Sequence, residues 1–297
     1  METGGCDVAV VDSILAAETV PWLGVARRFP IAASIHQPPG GVEPADPARR
    51  ALDLKAYAKM DLLIVASDSL EAALESDKLG PPIRVVPPGR DVEGSDEYID
   101  DSVRDRRQKE MRRGRGASFL SVANWVPHKG VVELIDALDS VPENLLTLHL
   151  VGDTEAHPSY VRKVRRQIER HGLQETVVVH GKVPRHEMAA LYAGADVFVA
   201  PSFQDAYATA VGEAMAMALP VVGWDAGNLP FLATDGVEGR VLPTGDIKAL
   251  AGAMSELASD ETLRSRLGGA ALRRARSRPT WDESAAMFFG ALRELID

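Results

Sequence analysis

The stretch 197–223 (VFVAPSFQDAYATAVGEAMAMALPVVG) constrains the fold more than any other part of the chain. Its pattern predicts an apolar strand at 197–200, a polar loop, a helix that begins near Ala208 and a second buried strand that begins at Pro220. Because the helix follows the strand directly, its first N–H groups point towards the carboxyl edge of a sheet, where anions bind. The stretch therefore predicts a strand–loop–helix–strand unit with an anion site at the start of its helix.

Two acidic residues frame this helix: Asp205 lies in the loop, and Glu213 lies on an otherwise small and apolar helical run. A carboxylate in apolar surroundings is costly unless a partner satisfies it. We therefore expect a phosphate at the helix start and hydroxyl groups bound by Glu213. The alternative is structural, with Asp205 as a loop or N-cap residue and Glu213 as the cap of a neighbouring loop.

Composition excludes several classes of protein. A formal net charge of −10 argues against general nucleic-acid binding, and the single cysteine, Cys6, excludes a disulfide framework. No apolar run of about 18 residues or signal-peptide pattern is present, so we expect a soluble protein of the cytoplasm. Contact with the inner face of a membrane stays open, as does the oligomeric state.

Alternating strand and helix patterns over 297 residues predict an α/β fold with doubly wound parallel sheets. We expect a first domain at 1–92, a linker at 93–116 and a second domain at 117–280. The linker is rich in Arg and Lys and lacks apolar periodicity. It is either a solvated charged helix or loop, or a patch for anionic lipid or an acidic acceptor.

Two further residues are candidates because of where their strands end. The strand IAASI ends at His36, before a Pro/Gly-rich turn, which places this histidine at the carboxyl end of a strand. Lys129 lies in the loop after the first strand of the second domain, where its ammonium could neutralise a diphosphate leaving group. The alternatives are a structural histidine and an exposed surface lysine.

The arrangement of Asp205, Glu213-Ala214-Met215-Ala216 and Pro220-Val221-Val222 resembles the donor-site signature of retaining glycosyltransferases of family 4, which have the GT-B fold. That signature is an acid, seven residues, then Glu, followed by Ala, a small residue and Pro-Val. The sequence departs from it at Asp205, where the family usually has Glu, and at Ala208, where it usually has Gly. The resemblance covers nearly all of residues 7–297.

The resemblance implies two Rossmann-like domains, of which the first is incomplete here, either truncated or naturally short. It also implies that a C-terminal helix, 281–297, returns to the first domain and that Trp281 marks its start. A core aromatic is the ordinary structural interpretation of this tryptophan. Relatives carry a first acid at the transferring sugar, a glutamate on the ribose diol and a histidine near the reacting sugar.

Residue by residue, the resemblance makes His36, Asp205 and Lys129 the expected catalytic residues. The expected donor-binding residues are Asn124, Lys129, Gly130, Gly181, Val183, Asp205, Tyr207, Ala208, Thr209 and Glu213. Among them, Asn124 stands where the family usually has an Arg on the diphosphate, so it brings no charge. Gly181 and Val183 would bracket the base, and Tyr207, Ala208 and Thr209 would offer backbone N–H groups to the diphosphate.

The function that the resemblance implies is transfer of a sugar, with retention of configuration, from a UDP-, GDP- or ADP-linked donor to an acceptor hydroxyl. The acceptor is a sugar, a lipid-linked sugar or a small molecule, and neither a metal nor a bound cofactor is expected. Asn124 and Asp205 keep open a catalytically impaired nucleotide-sugar-binding protein, and a GT-B sugar-nucleotide 2-epimerase is a further alternative. No G-x-G-x-x-G follows a predicted strand, which disfavours a nicotinamide dehydrogenase.

Overall fold

The structure is a computed structural model, and it describes residues 6–23, 29–42, 45–90 and 101–296. The described residues form two compact units. The first unit falls within Met1–Asp91 and Arg278–Asp297, and the second falls within Val92–Ser277.

The strands are β1 (Ala9–Asp12), β2 (Ile31–Ile35), β3 (Leu62–Val65), β4 (Ile83–Val85), β5 (Ala117–Val122), β6 (Leu146–Val151), β7 (Val177–Gly181), β8 (Val197–Ala200), β9 (Val221–Trp224) and β10 (Gly239–Leu242). The helices are α1 (Ala16–Thr19), α2 (Pro47–Tyr57), α3 (Asp68–Ser76), α4 (Asp101–Arg112), α5 (Val131–Leu138), α6 (Pro158–Arg170), α7 (Arg185–Gly194), α8 (Thr209–Ala216), α9 (Leu229–Leu232), α10 (Ile247–Ser259), α11 (Glu261–Arg276) and α12 (Trp281–Arg293). Short 3₁₀ helices lie at Ser13–Leu15 and Pro127–Lys129.

The second unit is built on a parallel sheet with the strand order β10-β9-β8-β5-β6-β7. Its central strands are buried on both faces, which accounts for their continuous apolar sequences. One face packs against α5, α6 and α10, and the other packs against α7, α8 and α11. This three-layer arrangement is the doubly wound α/β architecture.

Helix starts in the C-terminal part of the chain follow side-chain caps. Asp246 accepts the Ala249 N–H at the start of α10, and Asp260 accepts the Leu263 N–H at the start of α11. Thr280 forms a reciprocal capping box with Glu283 at the start of α12. Such caps satisfy N–H groups that the helix leaves unpaired, and they fix its first residue.

The region expected as a linker divides into two parts. Residues 91–100 lie outside the described residues, whereas residues 101–112 form α4, which packs against α7 of the second unit. The Arg112 guanidinium makes a bidentate ion pair with the buried Asp196, with N···O distances of 2.9 and 2.6 Å. Met111 is also buried. The structure therefore makes this end of the expected linker a part of the second unit rather than a solvated connector.

The first unit contains a parallel sheet with the described strand order β1-β2-β3-β4. Helix α12 packs on it, because Ala291 and Leu292 form a buried cluster with Ala32, Leu62 and Ile64. The expectation of a core aromatic at Trp281 is wrong, since this side chain is 55% exposed at the first residue of α12. The packing face of α12 lies further along the helix.

Within the ranges that the structure describes, no helix combines the length and the apolar character needed to cross a bilayer.

Candidate active site

The strand order of the second unit reverses beside β5. The chain runs from β5 to β6 and β7 on one side, and then returns to place β8 on the other side of β5. In open parallel sheets, ligands bind outside the carboxyl ends of the strands at such a switch point. The two loops that leave this point are the one after β5, which carries Lys129, and the one after β8, which carries Asp205.

Lys129 and Asp205 meet at the switch point although they are far apart in sequence. The Lys129 Nζ donates to Asp205 Oδ2 at 2.7 Å, and the two side chains are 21% and 27% exposed. Partial burial weakens the screening of this ion pair by solvent relative to a pair on the open surface. The arrangement holds an ammonium group at the carboxyl edge of the sheet.

The same aspartate organises the start of α8. Its Oδ1 accepts the Ala208 N–H at 2.9 Å, and Ala208 adopts the left-handed conformation with φ 58° and ψ 51°. The N-cap residue of α8, Ala208, makes no side-chain cap hydrogen bond, and Thr209 in the first turn is exposed. The amino end of α8 is therefore open to an anion beside the Lys129 ammonium.

The loop after β5 lies directly on the loop after β8. The Phe203 N–H donates to the His128 carbonyl oxygen at 2.8 Å. Gly130 has φ 68°, and a methyl group added there would overlap the Pro201 carbonyl oxygen. Glycine is thus required at position 130 by conformation and by space, and this close contact fixes Lys129 relative to the second loop.

The turn after β9 supports the Asp205 loop from the other side. The buried Asn228 donates its backbone N–H to the Asp205 carbonyl oxygen and its Nδ2 to the Tyr207 carbonyl oxygen, both at 2.9 Å. Gly227 has φ 57°, and a side chain there would meet the backbone of Asp205. These supporting residues were not among the predicted site residues, because only the fold brings their turn next to the loop.

Glu213 lies one turn into α8, but it is not in the apolar surroundings that the sequence suggested. The residue is exposed, so the expectation of a carboxylate in a costly buried environment is wrong. The small residues next to it in sequence, Ala214 and Met215, face the core instead. One oxygen of the carboxylate, Oε2, accepts the hydroxyl of the buried Tyr192 on α7 at 2.7 Å.

The remaining donor-binding candidates lie in neighbouring loops at the same edge of the sheet. Asn124 follows β5, but its Oδ1 accepts the Asp153 N–H at 3.0 Å and so serves the loop after β6. Gly181 ends β7 with φ 70°, and Val183 is partly buried against the core. Lys182, between them, forms an ion pair with Asp153 at 2.9 Å.

His36 is the candidate on the first unit, where it follows β2. Its Nδ1 lies 3.3 Å from the Ser13 hydroxyl and 3.7 Å from Asp12 Oδ2, and its side chain is 44% exposed. Ser13 is buried and Asp12 ends β1, so all three residues lie at the carboxyl edge of neighbouring strands. The geometry can hold a histidine in one orientation beside a carboxylate.

Within the described part of the chain, no group of three or more His, Cys, Asp and Glu side chains is placed to hold a metal ion.

The chain is similar in sequence to proteins of known family. The model of the family described as glycosyl transferases group 1 matches residues 102–274, which is more than half of the chain. A D-inositol 3-phosphate glycosyltransferase of Corynebacterium jeikeium is 28% identical over 288 residues, which cover 93% of this chain and 67% of that protein. Across three corynebacterial proteins of that name, the chain spans 57% to 67% of their length.

Two solved structures share the fold. Sucrose-phosphate synthase from Thermosynechococcus elongatus has a TM-score of 0.84 at 22% identity, over 99% of this chain and 74% of that chain. Anabaena HepE in complex with UDP and glucose has a TM-score of 0.82 at 22% identity, over 96% and 78% of the respective chains. The fold is therefore a GT-B-type α/β fold with Rossmann-like parallel-sheet domains, as the resemblance implied.

Proposed function

Because the chain belongs to the glycosyl transferases group 1 family, we propose that it transfers a sugar from a nucleoside-diphosphate sugar to an acceptor hydroxyl with retention of configuration. The observation that carries this proposal is the Lys129–Asp205 ion pair at the open start of α8. The Lys129 ammonium and the amino end of α8 are complementary to a diphosphate, and the exposed Glu213 carboxylate on the same helix is complementary to a ribose.

The diphosphate is assigned to the start of α8. The N–H groups of the first turn and the Lys129 ammonium both favour negative charge at this point. Asp205 holds the ammonium there before a ligand arrives, and a bound diphosphate would compete with Asp205 for the same ammonium. The backbone N–H groups of Tyr207 and Thr209 complete the assignment, together with that of Ala208, which would exchange Asp205 Oδ1 for the diphosphate.

The ribose is assigned to Glu213 and the base to the segment that contains Gly181 and Val183. A carboxylate accepts two hydroxyl donors well, and such charged hydrogen bonds are worth about 1.5–3 kcal/mol each. The exposed position of Glu213 suits this role, because the carboxylate can be reached by a ligand.

The transfer step is assigned to Lys129, Asp205 and His36. Charge develops on the leaving diphosphate as its bond to the sugar breaks, and a fixed ammonium stabilises that charge. Asp205 would then contact hydroxyls of the transferring sugar, and His36 would hydrogen-bond the sugar or assist proton movement. No metal is assigned to the step. The comparison with UDP complexes of HepE supports a nucleotide donor of this kind.

A binding protein without turnover is the second candidate. Asn124 stands where relatives usually carry a charged donor ligand, and its side-chain oxygen is already engaged with Asp153. Weaker stabilisation of the leaving group follows if no other cation replaces the missing one. Slow hydrolysis or transfer of a bound donor would exclude this candidate.

The test is a thermal-shift panel of UDP-, GDP- and ADP-sugars, with the free nucleosides as controls that lack the diphosphate. A ligand at about 100 times its dissociation constant adds about 2.7 kcal/mol to the free energy of unfolding. We expect a shift with one base and no shift with its nucleoside. Product analysis by NMR should then show the anomeric configuration of the donor retained; inversion would contradict the proposed mechanism.

A further inference from the structure

We propose that Tyr192 is a positioning residue that orients the Glu213 carboxylate for recognition of the donor's ribose diol. This inference rests on the proposed function of the α8 site. The Tyr192 hydroxyl donates to Glu213 Oε2 at 2.7 Å, from α7 to α8, across a boundary between two helices on one face of the sheet.

The tyrosine ring is fixed by its surroundings. Tyr192 is 4% exposed and lies in the core cluster on the α8 face of the sheet. Its ring packs against Phe198 of β8, with ring centroids 6.0 Å apart. A buried aromatic ring with such neighbours has one preferred rotamer. The hydroxyl is therefore a rigid donor, whereas an exposed glutamate on its own would sample several rotamers.

In the hydrogen bond between Tyr192 and Glu213, the tyrosine hydroxyl is the donor near neutral pH. Burial first, and the nearby Glu213 carboxylate second, raise the pKa of the Tyr192 hydroxyl above its ordinary value, so the hydroxyl stays protonated. The tyrosine therefore donates and the carboxylate accepts. The bond occupies one acceptor position on Oε2 of Glu213. The remaining acceptor positions of the carboxylate can still bind the two hydroxyl groups of a diol.

A residue that orients Glu213 and a residue that only stabilises the fold should affect nucleotide binding differently. A residue that only stabilises the fold lowers the affinity for all nucleotides alike, or lowers stability alone. A residue that orients the diol acceptor affects ribonucleotides more than 2′-deoxynucleotides, because the latter lack one of the two hydroxyls. Selectivity for the ribose form is therefore the informative quantity.

The experiment is isothermal titration of the full chain with UDP, GDP and ADP, and with the 2′-deoxy form of whichever binds. For the wild-type chain we expect the ribose form to bind about tenfold more tightly. Tyr192→Phe, which removes only the hydroxyl, should reduce that ratio to about threefold or less. In turnover assays it should raise the donor KM with little change in kcat.

A double-mutant cycle and a matched control complete the test. In the Glu213→Ala background, Tyr192→Phe should have no further effect on the ratio. Tyr160→Phe removes another buried hydroxyl of the same unit, one that accepts the Val132 N–H, and should leave the ratio at its wild-type value.

The outcomes distinguish the two proposals. If Glu213→Ala abolishes the selectivity but Tyr192→Phe leaves it intact, the positioning role of Tyr192 is wrong and the donor site stands. If the wild-type chain binds none of the nucleotides, or binds ribose and deoxyribose forms equally, the ribose assignment to Glu213 fails and this inference fails with it.

Discussion

The carboxyl edges of the two parallel sheets present their candidate residues differently. In the second unit, Lys129 and Asp205 are joined at 2.7 Å and their side chains are 21% and 27% exposed. In the first unit, His36 and Asp12 lie 3.7 Å apart and their side chains are 44% and 49% exposed. The first pair is braced by neighbouring loops, whereas the second lies on an open edge.

Sheet topology accounts for this difference. The strand order of the second unit reverses between β5 and β8, so the loops that leave these two strands lie side by side and bring Lys129 to Asp205. The described strands of the first unit run in the order β1-β2-β3-β4 without a reversal. The comparison shows that the fold holds Lys129 and Asp205 together in the second unit, whereas the contribution of the first unit has to be tested separately from donor binding.

The largest effect is expected from Lys129→Met, which removes the ammonium at the switch point and retains most of the side-chain volume. Loss of a fixed group that stabilises developing charge should lower kcat by about 100-fold. Steady-state kinetics with the donor found in the ligand panel provide the measurement. Lys163→Met on the exposed face of α6 is the control. An equal loss of kcat in the two variants would contradict the assigned role of Lys129.

The second prediction concerns a buried histidine of the second unit. The Nε2–H of His149 donates to the Met111 carbonyl oxygen, and its Nδ1 is hydrogen-bonded to His180 Nε2, each at 2.9 Å. Burial lowers the pKa of His149 from 6.5 to about 4. Between these values the unfolded chain binds a proton that the folded chain does not, so stability falls as pH falls from about 6.5 to about 4, by on the order of 3 kcal/mol.

Urea denaturation followed by tryptophan fluorescence can assign this pH dependence to the second unit. Trp125 and Trp224 of that unit are buried, whereas Trp22 and Trp281 of the first unit are exposed. His149→Gln should reduce the dependence of unfolding free energy on pH, and the adjacent His180, whose pKa burial also lowers, should account for part of what remains. The exposed His186→Gln should keep it; a wild-type slope in His149→Gln would rule out His149 as its source.

The third prediction sharpens the contrast between binding and transfer. His36→Gln should leave nucleotide affinity within about twofold of the wild-type value, because His36 lies on the first unit and the donor site is assigned to the second. Turnover should fall by about tenfold. A parallel loss of nucleotide affinity would show that the first unit takes part in holding the donor.

The smallest effect is expected from Ala208→Gly at the start of α8. A left-handed non-glycine residue costs about 1–2 kcal/mol, which glycine relieves. The change also removes a buried methyl group and increases the conformational entropy of the unfolded chain. Together these two effects lower the free energy of unfolding by an amount similar to the relieved strain. The net change in unfolding free energy should stay within about 1 kcal/mol, measured by urea denaturation. A loss above about 2 kcal/mol would show that the methyl group matters more than the conformation.

Much of the second unit could be predicted from local sequence. The strand at 197–200 has the predicted bounds, and α8 and β9 begin at Thr209 and Val221, each one residue after the predicted start. For the segment that forms α4 the sequence left helix and loop both open, since it is charged and lacks apolar periodicity, and it did not indicate that Arg112 and Met111 pack on distant residues. Tertiary contacts overrode the local signal.

The site was predictable in its location but not in its contacts. Parallel strands with short loops place Lys129 and Asp205 at one edge of the sheet, which the sequence could indicate. Their direct contact depends on β5 and β8 being neighbours, and no local pattern specifies that pairing. The exposure of Glu213 and its bond to Tyr192 depend on how α7 and α8 lie on the sheet. The local sequence does not specify this arrangement, so it misjudged the exposure and did not indicate the bond.

The central claim is that the helix α8 site holds a nucleoside diphosphate with its ribose on Glu213. The most direct test is isothermal titration of UDP-, GDP- and ADP-sugars into the wild-type chain and Glu213→Ala. We predict binding of one donor at one site per chain, and at least tenfold weaker binding to Glu213→Ala, from the loss of one or two charged hydrogen bonds. Equal affinity in the two proteins, or no binding to the wild-type chain, would contradict the claim.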